Sequence, residues 1–74
     1  MNANRKRQMS ELETQRADRE KQASELERQA RPLREHGAEG DRRSFLLSEA
    51  RVLREEAKDL ARRWSDLAAE DERS

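Results

Sequence analysis

The sequence predicts an all-α protein, an antiparallel two-helix coiled-coil hairpin. Three observations predict it. Leu46, Leu53, Leu60 and Leu67 recur every seven residues, with Ala50, Ala57 and Trp64 between them in an unbroken 4-3-4-3 spacing. Side chains at that spacing return to one helical face, so the stretch carries a single apolar seam. The N-terminal half has the same period: Met9, Arg16, Ala23 and Ala30 share one heptad position, and Leu12, Arg19, Leu26 and Leu33 share the next. Between the halves lies a short segment holding both glycines of the chain, Gly37 and Gly40.

Composition narrows the class further. Seventy-four residues make one small domain, read here as a single helical hairpin over 1–74. Charged residues are 46% of the chain and hydrophobic ones 31%, yet Lys+Arg and Asp+Glu balance at 17 each. Disorder by composition needs a large net charge, and this chain has none. So few large apolar residues leave a domain of this size marginal alone, and its stability is expected to depend on a partner chain. Cysteine is absent, which removes disulfides, thiolate metal sites and cysteine catalysis together. Residues 1–8 are basic without a following apolar run, so no signal peptide is read there. No apolar run, residues 45–47 included, is longer than three, too short for a membrane span. The expected location is cytoplasmic.

Helix 1 is predicted over about residues 4–31. Its four glutamines, Gln8, Gln15, Gln22 and Gln29, fall in one heptad position, and Glu13, Glu20 and Glu27 in another. Pro32 should kink or end it, because proline lacks the N–H that would bond the carbonyl of Arg28 and clashes with that carbonyl. A turn is predicted over residues 36–41, with Gly37 in the left-handed position after a helix and Asp41 as the N-cap of helix 2. Helix 2 then runs over about residues 42–71, and the last residues to Ser74 should fray.

Two helices joined by a short loop lie antiparallel, so paired residue numbers have a constant sum. A sum of 76 pairs Ala30 with Leu46, Leu26 with Ala50, Leu12 with Trp64 and Arg5 with Asp71, and centres on the glycine loop. Slipping one heptad places Leu12 against Asp71, so one register is favoured. Helix 2 carries more apolar surface than one partner needs. Phe45, Leu47 and Val52 lie beside the seam near the turn, and they predict dimerisation into a four-helix bundle.

The candidate functional residues follow from this surplus and from irregularities in the seam. Arg16 and Arg19 occupy seam positions, where an uncompensated charge is costly. They must snorkel or reach carboxylates such as Glu20 or Glu56, and they mark a gap where another molecule could dock. Trp64, the one tryptophan, faces Leu12 beside Arg16. Phe45, Leu47, Val52, Arg16, Arg19 and Trp64 are therefore the candidate partner-binding residues. Arg51, Arg54, Lys58 and Arg62 form a basic stripe, but Glu55, Asp59 and Asp66 lie close by and read more simply as salt-bridge partners. His36 with Glu35, Glu39 and Asp41 matches no metal spacing, so no metal or cofactor is expected. One histidine, no cysteine and no phosphate-binding glycine loop give catalysis no support.

In size and pattern this architecture is similar to the helical-hairpin dimers typified by the plasmid copy-number RNA-binding protein Rop. That likeness implies nucleic-acid binding on a dimer surface, here through Arg51, Arg54, Lys58 and Arg62. Arg34-Glu35-His36-Gly37 resembles the approach to the tip of Gre-type transcript-cleavage factors, with Glu39 and Asp41 in place of an acidic pair. The following Asp-Leu-x-Glu-Asn run of that family and its globular domain are absent, and the chain is assigned to no family on these grounds. The leading expectation is a non-enzymatic protein–protein interaction module, a small regulatory adaptor, chaperone or inhibitor, whose partner is itself or another protein. The alternatives are the nucleic-acid-binding dimer and a regulator that acts through the acidic tip.

Overall fold

The computed structural model describes residues 3–73. Two helices, α1 (Ala3–Ala30) and α2 (Gly37–Arg73), pack against each other as an all-α hairpin. The molecule is a rod of 56 × 15 × 12 Å. Its long dimension is that of α2, whose 37 residues span roughly 55 Å at ~1.5 Å per residue. The register is the one the heptads predict. Arg5 at the open end donates to Asp71 at 3.3 Å, and Arg19 donates to Glu56 at 2.8 Å, pairs whose numbers sum to 76 and 75.

The seam closes on small residues. Ala23 and Ala30 of α1 and Ala50 and Ala57 of α2 are buried, together with Met9, Leu46 and Leu60. Alanine at these positions lets the two backbones approach. The larger seam residues Leu12, Leu26, Leu53, Trp64 and Leu67 are only half-buried. The cause is geometric: two helices shield one narrow stripe of each other, and a side chain longer than alanine reaches past it.

The connection differs from the expectation. It occupies residues 31–36 rather than 36–41, and α2 begins at Gly37, five residues before Arg42. Helix α1 stops cleanly, without a kink. The Arg31 N–H donates to the Glu27 carbonyl at 3.1 Å, Pro32 offers no donor, and the Leu33 N–H tightens back onto the Ala30 carbonyl at 3.1 Å. Helix α2 opens with the Gly40 N–H on the His36 carbonyl at 3.3 Å. Gly37 does take a left-handed φ of +72°, but it serves the start of α2 instead of the end of α1. Gly40 meets a different constraint. A Cβ there would lie 2.5 Å from the Glu35 carbonyl oxygen, so the bare helix surface is what admits the incoming chain. Asp41 is consequently inside α2, not at its N-cap, while Glu39 lies in the first turn. At the other end α2 is helical through Arg73, and Ser74 lies outside the described residues. Among the described residues no helix is long and apolar enough to cross a membrane.

Candidate functional site

Phe45 and Val52 stand out on the surface. They are 64% and 54% exposed, the large apolar side chains that the hairpin leaves uncovered. Seven residues apart, they share one strip of α2. Leu47 does not join them. Two residues along a helix is a rotation of about 160° from Phe45, measured the short way round. Leu47 is half-buried on the opposite flank, where it borders a groove shared with Glu27, Arg51, Arg54 and Lys58. The expected cluster of Phe45, Leu47 and Val52 therefore divides between two faces of the rod.

The Phe45 face continues to the open end. Arg63 is eighteen residues beyond Phe45, five full helical turns, and so returns to the same side. There Arg63 and Leu67 of α2, with Leu12 and Gln15 of α1, wall an open groove of about 370 Å³. Its floor is chiefly apolar because Leu12 and Leu67 are the half-buried seam leucines. Sequence reading placed both leucines in the core and missed the groove. The signal was present in the register, since a pair of leucines flanked by glutamine and arginine at a two-helix edge cannot be closed over.

A second groove of about 290 Å³ lies at the same height on the other face, lined by Glu13, Arg16, Ala61 and Trp64. Trp64 is half-buried there, neither enclosed nor fully presented. Arg16 shares this groove, and its guanidinium donates to Glu20 at 3.3 Å. Arg19 reaches across the seam to Glu56 and also lies 3.6 Å from Asp18. Both arginines remain over a third exposed, so they leave the seam by snorkelling towards carboxylates. Arg16 and Trp64 thus sit together, while Arg19 belongs to the Glu56 side.

Carboxylates occupy most of the basic stripe. Arg54 spans the helices to Glu27 with Nε to Oε2 at 3.1 Å and Nη2 to Oε1 at 2.5 Å, and touches the Ser24 hydroxyl at 3.4 Å. The hydrogen bonds from Arg54 hold the Glu27 carboxyl below its ordinary value; partial desolvation opposes them, and the charges of Arg54 and Arg31 add to them. The same bonds raise the Arg54 guanidinium above its ordinary value. Lys58 pairs with Glu55 at 3.4 Å and Arg62 with Asp59 at 3.6 Å. Of the four, Arg51 alone has no carboxylate within ion-pair distance among the described residues.

The acidic residues near the corner of the hairpin are divided between the connection, which holds Glu35, and the first turns of α2, which hold Glu39 and Asp41. Residues 31–36 form the corner, and Glu39 pairs with Arg34 at 3.7 Å. Among the described residues no three His, Cys, Asp or Glu side chains converge as a metal site would require. Comparison with known protein families, with curated proteins and with solved structures gives no match.

Proposed function

We propose that this chain is a protein–protein interaction module whose working surface is the Phe45 face of the rod. The observation that supports the reading most strongly is the pairing on one face of two exposed apolar side chains with an open apolar groove. Burying an exposed phenylalanine and valine contributes roughly 1.5–3 kcal/mol each, so the face favours a helical partner. A groove between two helices takes such a partner readily, by seating side chains at helical spacing. The strip is flanked by charge, with Glu49 and Arg63 beside it, so the face also carries groups that select a partner by charge. Trp64 and Arg16 offer a smaller secondary contact on the reverse face.

The nucleic-acid alternative draws less support. Phosphate binding needs cations free to release their counterions, and Arg54, Lys58 and Arg62 are committed to carboxylates. A role for Glu39 and Asp41 would have to be played from the first turns of α2.

The test is a photo-crosslinker at position 45. Benzophenone-alanine in place of Phe45 is expected to give a discrete adduct in cells, and the same group at the exposed Lys58, about 140° round α2 from Phe45, is expected to give none. Equal labelling from both positions, or none from 45, would refute the assignment of this face.

A further inference from the structure

We propose that the occupant of the Phe45 face is a second copy of this chain, packed α2 against α2 and antiparallel, so that each Phe45 enters the other copy's Leu12–Leu67 groove. The inference rests on the interaction-module reading and adds to it a partner and a register.

Charge selects the register. Arg42, Glu49, Glu56, Arg63 and Glu70 recur every seven residues and form one line on α2, between the seam and the Phe45 strip. When two antiparallel copies meet along that line, paired residue numbers have a constant sum. A sum of 112 sets Arg42 against Glu70 of the second copy and Glu49 against Arg63 of the second copy. Two-fold symmetry makes each pair twice. Glu56 meets its own counterpart on the axis, where Arg19 already neutralises it at 2.8 Å. Slipping a heptad either way is worse. A sum of 105 opposes Arg42 to Arg63 and Glu49 to Glu56, and a sum of 119 pairs Glu56 with Arg63 but opposes Glu49 to Glu70 and leaves Arg42 without a counterpart.

The register chosen by charge then places the apolar groups without further adjustment. The sum of 112 brings Phe45 to Leu67 of the second copy and Val52 to the edge of Leu60. It overlaps residues 39–73 of each α2, nearly the whole of its 37 residues. Agreement of charge and overlap in one self-complementary register, with Phe45 and Val52 set against leucines, is what supports a copy of the chain as the occupant.

Light scattering and circular dichroism on the full chain test this with three variants. The wild type is expected to approach twice 8.7 kDa as concentration rises. Glu49→Arg and Arg63→Glu should each weaken self-association by about tenfold or more, because each places like charges together twice. The double reversal Glu49→Arg/Arg63→Glu should restore the wild-type mass. Both side chains are exposed in the hairpin, so helicity should be unchanged throughout. A dimer indifferent to the single reversals, or not restored by the double one, overturns the register. A wild type that stays at 8.7 kDa while a crosslinker at 45 labels a different protein overturns the second copy but leaves the interaction surface standing. Neither mass increase nor labelling overturns both.

Discussion

Two glycines decide the corner of this hairpin, for unlike reasons. At Gly37 the backbone is left-handed, φ +72°, with open space where a side chain would stand. At Gly40 the backbone is ordinary helix and the space is taken, by the Glu35 carbonyl oxygen 2.5 Å from an added Cβ. Within an exposed helix, Gly→Ala normally stabilises by up to about 1 kcal/mol. Gly40→Ala should do the reverse and lower the urea midpoint, because a carbonyl in a tight turn cannot withdraw without breaking the connection. Gly37→Ala should cost about 1 kcal/mol from backbone strain alone. A Gly40→Ala midpoint above the wild type's would show that the corner is looser than its geometry. The sequence reading found the positive φ at Gly37 but attached it to the wrong helix. Glycine after α1 and glycine before α2 use the same local chemistry, and only the position of the reversal distinguishes them. Asp41 misled for a related reason: a good N-cap residue need not be used as one when Ala38 and Glu39 can already be helical.

At the scale of the helix, pairing was readable and facing was not. Heptad spacing fixes which residues point inward, and the sum of 76 fixed their opposition, as the 3.3 Å contact of Arg5 with Asp71 bears out. What sequence proximity conceals is rotation: Phe45 and Leu47 look like neighbours and lie on opposite flanks. The salt bridge from Glu27 to Arg54 also depends on register, since its partners are 27 residues apart. It is the ion pair that shifts both partners, and a pH dependence follows. The folded Glu27 carboxyl titrates below its ordinary value of 4.5, so its stabilisation is fully present above that value. It is lost as pH falls through the lower, folded value. Glu27→Gln removes the titrating group. The difference in urea midpoint between wild type and Glu27→Gln should therefore be largest near neutral pH and shrink in acid. A gap that stays constant down to the acid range would mean the bridge contributes nothing to folding. Salt should diminish the gap as well, because both side chains are about two-fifths exposed.

The whole molecule is a rod with one neighbour per helix, and that shape limits its stability. Among the described residues the buried apolar set is four alanines, two leucines and a methionine. Alanine contributes little transfer free energy, and the bulkier seam leucines keep part of their surface in water. Ordering each residue opposes this by about 1–2 kcal/mol in backbone entropy. A chain so built gains stability from whatever binds the folded hairpin and not the unfolded chain. If the binder is a second copy, the thermal midpoint must rise with protein concentration, since mass action links association to folding. Phe45→Ser removes an exposed side chain that the isolated hairpin does not bury. It should leave the low-concentration midpoint unchanged while flattening its rise. That pattern separates a surface role from a core role, because a core substitution lowers the midpoint at every concentration. A wild-type midpoint independent of concentration would instead mean that the alanine seam sustains the hairpin alone, with the Phe45 face free to meet a different protein.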